Sequence, residues 1–251
     1  MADAAALLRV VGVRKAFGGI QAVDGVSFDL PCGEIRALIG PNGAGKSTFF
    51  NILTGQLRAD GGTAVYRGRE LLGLAPHAVW RLGVSRTFQV TATFATLSAL
   101  ENVRVARLSH VGRSRALLTP ARGLETERSL ALLDQVGLGD QAERAAGVLA
   151  YGDLKKLELA IALANDPELL LLDEPTAGMA PAERGALMAL TAAIARQRHL
   201  TVLFTEHDMD VVFATADRIM VLHQGRLIAE GAPAEVRVHP EVQAVYLGAE
   251  A

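Results

Sequence analysis

Cysteine is almost missing. Cys32 stands alone among 251 residues, so no disulfide can form within the chain and a reducing compartment fits. Long apolar runs are missing as well: no stretch approaches the roughly 18 residues of a membrane span. Residues 1–8 hold no basic segment leading into an apolar core, so no secretion signal is expected. An excess of either charge is missing too. The formal net charge is −2, and Arg and acidic residues are interspersed along the chain. A dedicated nucleic-acid binder gathers positive charge on one face, so no nucleic-acid partner is expected. No repeat of 20–50 residues marks a solenoid, and no low-complexity linker divides the chain. The absence of an Asn-Lys-x-Asp motif argues against guanine specificity.

What is present is ample apolar material, at 50% of the residues. Short strands rich in Val and Leu are expected at 7–13 and 26–30, with Phe17-Gly18-Gly19 as the turn between them. Further strands are expected at 64–66, 84–88, 201–205, 219–222 and 226–229. The run Leu169-Leu170-Leu171-Leu172 suits a strand buried on both faces of a parallel sheet. Helices are expected at 46–54, 77–82, 125–136, 153–165, 181–196 and 208–214, with a small helical tail at 234–247. Another covers 98–108, where Leu100, Val103, Val105 and Leu108 recur at helical spacing. Residues 112–123, rich in Arg and containing Pro120, read as an exposed loop. The expectation is one α/β unit over 1–251. Its core comprises 1–89 and 166–235, a helical insert occupies 90–165, and 236–251 forms a tail.

The chemistry centres on Gly40-Pro41-Asn42-Gly43-Ala44-Gly45-Lys46-Ser47-Thr48, which fits G-x-x-x-x-G-K-[ST]. Glycines let the backbone wrap closely around a polyphosphate, and its N–H groups make an anion nest. Lys46 supplies a fixed positive charge, and the Ser47 hydroxyl suits Mg²⁺. A buried strand leads in and a helix leads out, adding its N-terminal dipole. Asp173-Glu174 follows the leucine run, at the strand end where ligands bind in parallel α/β folds. Asp173 can hold Mg²⁺, and Glu174 can accept a proton from attacking water. Read alone, the pair is also an ordinary acidic turn. Phe17 can stack on a base or serve as a strand-end core residue.

Taken together, these motifs resemble the nucleotide-binding subunit of an ABC transporter, in order and spacing, over nearly the whole chain. The resemblance implies a P-loop NTPase (RecA-like) core with an antiparallel β subdomain and an inserted α-helical subdomain. It implies ATP and Mg²⁺ as ligands. Phe17 and Val23 then lie against the nucleotide, together with Asn42, Gly43, Ala44, Gly45, Lys46, Ser47 and Thr48. Ser47, Gln89 and Asp173 serve the metal, and Glu174, His207 and Gln89 serve hydrolysis. Leu149-Ala150-Tyr151-Gly152-Asp153 stands where the family has its signature, Leu-Ser-Gly-Gly-Gln, which acts on the partner's ATP. Ala150 lacks the usual hydroxyl, and Asp153 adds negative charge. Ala177-Gly178-Met179-Ala180, after Glu174, lacks the polar residue usual at its last position. An asymmetric dimer with one weakened composite site is therefore expected.

Several phrases resemble the branched-chain amino acid importer group: Phe17-Gly18-Gly19-Ile20-Gln21-Ala22-Val23, Val84-Ser85-Arg86-Thr87-Phe88-Gln89, Tyr151 in the signature, Glu206-His207-Asp208-Met209 and Val245-Tyr246-Leu247-Gly248. That group implies a homologous ATPase subunit, two transmembrane permease subunits and a periplasmic substrate-binding protein as partners. It implies a peripheral place on the cytoplasmic face of a bacterial inner membrane. Alternatives of the same fold are the ATPase of an exporter or lipid-extraction system, and a non-transport ABC ATPase.

Overall fold

The computed structural model of the chain describes residues 6–87, 93–110 and 125–247. β1 (Ala6–Phe17) and β2 (Ile20–Pro31) pair antiparallel and turn at Gly18-Gly19. Both turn glycines have positive φ, 51° and 89°, a region that a Cβ makes costly. β4 (Gly61–Tyr66) pairs with β1, and β5 (Arg69–Glu70) completes a four-stranded sheet in the order β2-β1-β4-β5. The hairpin strands run well past their apolar centres, because one face is solvated and carries polar residues such as Arg9, Arg14 and Asp29.

The second sheet has the order β10-β9-β3-β8-β7-β6. β3 (Ile35–Ile39), β6 (Val84–Thr87), β7 (Leu169–Asp173), β8 (Thr201–Thr205) and β9 (Arg218–His223) are parallel. β10 (Arg226–Gly231) runs antiparallel to β9. β3, β7 and β8 are buried along their whole length. The four leucines of β7 show why. Leu169 and Leu171 join an apolar core shared with the first sheet and α1 (Lys46–Leu53), whereas Leu170 and Leu172 join a second core beneath the other helices. Successive strand residues point to opposite faces, so a strand covered on both sides needs an unbroken apolar run.

The remaining helices are α2 (Pro76–Arg81), α3 (Ala99–His110), α4 (Thr126–Gln135), α5 (Tyr151–Leu163), α6 (Pro181–Arg198), α7 (Met209–Thr215), α8 (Pro233–Arg237) and α9 (Pro240–Leu247). Helices α3, α4 and α5 pack on one another and lie between β6 and β7 in the chain. The buried face of α3 departs from the apolar spacing. Val105 is exposed and Leu108 half-buried, while Asn102 and Arg107 are buried. Buried polar groups persist where they are hydrogen-bonded, and these are. Asn102 bonds the Phe94 amide (2.8 Å) and donates to the Ser98 carbonyl (2.9 Å). Arg107 donates to the Ala164 carbonyl at 2.8 Å and pairs with Glu125 and Asp166. Apolar periodicity alone has no way to see such residues. The loop expected at 112–123 lies outside the described residues.

Candidate nucleotide site

The C-terminal ends of β3, β7 and β8 meet at one edge of the parallel sheet, and the loop after β3 turns there into α1. Its tightness is set by the neighbouring chain. A Cβ on Gly40 would stand 2.1 Å from the Leu222 carbonyl oxygen, and one on Gly45 would stand 2.1 Å from that of Ala22. Their φ values are 156° and 107°, so both clearance and conformation demand glycine. The Gly225 amide donates to the Ala44 carbonyl at 2.9 Å and pins the loop to β10's turn. Lys46 is buried and donates through Nζ to the carbonyls of Gly40 (2.6 Å) and Pro41 (3.1 Å). Burial lowers its pKa, and the Glu174 and Asp173 carboxylates offset part of that shift. A cavity of about 180 Å³ opens here, lined by residues 42–48, Ala22 and Glu174.

Asp173 and Thr205 are register partners at the ends of β7 and β8. The Thr205 hydroxyl donates to Asp173 Oδ1 at 2.9 Å, and Arg86 donates to Asp173 Oδ2 at 2.7 Å. Glu174 then turns out of the sheet with φ of 50°, a conformation that is uncommon without glycine. Its amide is held by the Thr205 carbonyl (3.1 Å) and hydroxyl (3.0 Å). The turn carries the Glu174 carboxylate to His207, whose Nε2 lies 2.8 Å from Oε1. Glu206 is buried beneath, where it accepts from the Thr176 amide (2.9 Å) and hydroxyl (2.6 Å). Ser47 and Asp173 offer hard oxygen donors only, and no group of three or more His, Cys, Asp or Glu gathers among the described residues. That donor set fits Mg²⁺, which keeps several waters and takes one or two carboxylates plus substrate phosphates.

Phe17 ends β1 with 48% of its surface exposed, and Lys15 Nζ stands 5.4 Å from its ring centre. Val23, expected beside it on the nucleotide, is fully buried in the core between the sheets. Its neighbour Ala22 lines the cavity instead, because alternate residues of β2 face opposite ways. Gln89 lies outside the described residues, two positions past the end of β6. The Leu149 to Asp153 segment starts α5. Ala150 is its N-cap and supplies no side-chain hydrogen bond. The Tyr151 hydroxyl donates to the Ala177 carbonyl at 2.8 Å. Asp153 is bound by Gln141 (2.8 Å) and Lys156 (2.9 Å). Burial raises its pKa, and those two partners, with Arg144, outweigh that and leave it lowered. The negative charge read from the sequence is therefore largely answered within the chain.

Residues 23–177 match the family described as ABC transporter. The chain belongs to the ABC transporter family. Residues 226–251 also match the branched-chain amino acid ATP-binding cassette transporter family. The chain is 43% identical over 249 residues to the high-affinity branched-chain amino acid transport ATP-binding protein LivG of Salmonella typhimurium, covering 96% of this chain and 98% of the relative. It is 41% identical over 249 residues to BraF of Pseudomonas aeruginosa, which carries the same description, with the same coverage. Among solved structures, the ADP conformation of MJ1267, an ATP-binding cassette of an ABC transporter, has a TM-score of 0.86 at 30% identity, covering 97% of this chain and 99% of that one. A dimeric post-hydrolysis state of the cassette MJ0796 with ADP and Pi has a TM-score of 0.76 at 25% identity, covering 90% and 98%. The fold is thus that of an ABC ATPase, and the chain is an ATP hydrolase that works in transport. Among the described residues no helix is long and apolar enough to cross a membrane.

Two parts of this cassette site escape a reading of motifs. Ala22 carries no chemistry that a motif would flag. Arg86 does, as a basic residue three before Gln89, but nothing in the sequence pairs it with an aspartate 87 positions away.

Proposed function

We propose that this chain powers the import of branched-chain amino acids, as half of a pair of ATPase subunits bound to two transmembrane permease subunits. A periplasmic binding protein delivers the substrate, and the cassette sits on the cytoplasmic face of the inner membrane. The relatives' transport of branched-chain amino acids supports this substrate class.

The observation that carries the catalytic reading is the Glu174–His207 contact of 2.8 Å beside the cavity lined by the phosphate loop. Lys46 and the amides of residues 42–48 hold the triphosphate, and Phe17 stacks on the base. Ser47 and Asp173 would hold Mg²⁺, with Gln89 assigned to the same ion, which would neutralise phosphate charge when bound. Glu174 accepts a proton from water as the water oxygen attacks the γ-phosphorus. The bond from that phosphorus to the bridging oxygen breaks, and ADP leaves. His207 orients the Glu174 carboxylate and faces the γ-phosphate. Such chemistry depends mainly on positioning and charge neutralisation.

Leu149 to Asp153 faces the ATP of the partner ATPase subunit. Ala150 brings no hydroxyl to it, so the composite site that this segment completes turns over slowly and the pair is asymmetric. A groove of about 340 Å³ between α2, β6, α3 and α5, walled by Trp80, Phe94, Val105 and Ile161, includes Thr87 at the end of β6. We place the permease contact there.

The test is reconstitution of the chain with its co-purifying subunits into vesicles. ATP turnover should rise when binding protein loaded with leucine, isoleucine or valine is added, with uptake toward the ATP side. Movement in the opposite direction, or indifference to all three amino acids, overturns the reading.

A further inference from the structure

Arg86 stands between two sites. One of its guanidinium nitrogens donates to Asp173 Oδ2 at 2.7 Å. Another is held by Asn51 Oδ1 at 2.6 Å and Thr54 Oγ1 at 3.2 Å, both on α1, the helix that opens with Lys46 and Ser47. The Phe50 ring lies below it at 5.8 Å. The Arg86–Asp173 pair is almost wholly dry, with 8% and 3% of the two side chains exposed. The other carboxylate oxygen is occupied by Thr205. Asp173 thus has a resident cation. Arg86 belongs to β6 and is also one of the residues that line the groove, together with Trp80 and Val105.

A buried carboxylate attracts whatever positive charge is nearest, and in a poorly hydrated site two cations competing for it repel strongly. We propose that Arg86 is the internal counter-ion of Asp173, which a divalent cation arriving with nucleotide must displace. Arg86 is then a positioning residue with two effects. It keeps Asp173 from repelling phosphate before the metal arrives, and it sets the metal requirement for tight nucleotide binding. Its displacement moves a wall of the groove, so metal arrival is felt where Trp80 sits. The inference rests on the nucleotide and metal reading given above.

The experiment measures trinitrophenyl-ATP affinity in EDTA and in Mg²⁺, for wild type, Arg86→Met and Arg86→Lys. The ratio of the two dissociation constants is the metal linkage. In Arg86→Met it should rise about tenfold or more over wild type, in line with the effect of one adjacent charge, and Arg86→Lys should fall between. An unchanged or smaller ratio in a folded Arg86→Met protein overturns the proposal. Wild-type protein that binds the probe in neither condition overturns the nucleotide reading instead. Wild type offers a second measurement should Arg86→Met fail to fold, because Trp80 is its only tryptophan. Its emission should shift with nucleotide plus Mg²⁺ and stay put with nucleotide in EDTA. An equal response in both conditions, or none in either, overturns the displacement.

Discussion

The phosphate loop and the signature segment are both glycine-bearing turns into a helix, yet they are built differently. The loop is fixed by its own chain. Leu222 and Ala22 leave no space for a Cβ at Gly40 or Gly45, the Gly225 amide holds Ala44, and Lys46 folds back on the loop carbonyls. The signature segment is loosely specified from within. A Cβ on Gly152 would find its nearest atom at 3.7 Å, an ordinary contact, and Ala150 caps nothing. Tyr151 and Asp153 are satisfied sideways, by Ala177, Gln141 and Lys156. The reasons for the loop's residues lie inside this molecule. On the function proposed above, those for Gly152 lie in a second one.

The largest expected effect tests the loop side. Glu174→Gln keeps the size of the side chain and a hydrogen bond for His207 but removes the base. Phosphate release should fall about 10²–10⁴-fold, while nucleotide binding persists and the paired subunits stay closed. Turnover near wild type in a steady-state phosphate assay would remove Glu174 from its role. Gly45→Ala comes next. The clash with the Ala22 carbonyl and the φ of 107° should cost about 1–3 kcal/mol of stability, with loss of nucleotide binding even in the isolated chain. Denaturant unfolding and a nucleotide titration read both. Wild-type values would mean that the loop tolerates another backbone path.

Ala150→Ser turns to the other side. The N-cap has extended φ and ψ, −60° and 153°, and lacks a side-chain acceptor. A serine there should stabilise the isolated chain by about 0.5–2 kcal/mol through its bond to the first-turn amides. It should also speed turnover at the composite site. A melting temperature unmoved by the substitution would show that solvent already satisfies those amides.

This contrast also decides what was legible in the sequence. The leucine run of β7, the glycine loop and the strand-end carboxylates each obey a local rule, so their places in the fold follow from residue type and spacing. The hairpin turn at Gly18-Gly19 does too. Val105 and Val23 are misplaced because apolar identity does not say which way a side chain faces when Asn102 and Arg107 take the core positions of α3, or when β2 turns Ala22 to the cavity. The Arg86–Asp173 pair was invisible for another reason. It joins β6 to β7 across the whole helical insert, and no pattern within a short window encodes such a contact. Asp153 reads as added negative charge only when its motif is taken alone: Lys156, three residues on in α5, answers it by a local rule, whereas the Gln141 amide comes from a separate turn.

Gly152→Ala should give the smallest change in the chain alone and is the sharpest way to break the comparison. The position is in the first turn of α5, and the added methyl meets Glu183 and Met179 at ordinary distances of 3.7–3.8 Å. Replacing a helical glycine by alanine limits the freedom of the unfolded chain, so stability should rise by about 0.5–1 kcal/mol. Nucleotide binding by the isolated chain should not change. Turnover of the assembled pair should nevertheless drop, because the methyl occupies space that the partner's nucleotide needs. A destabilised isolated chain would show that Gly152 serves its own fold, and full turnover in the pair would show that this surface faces no nucleotide.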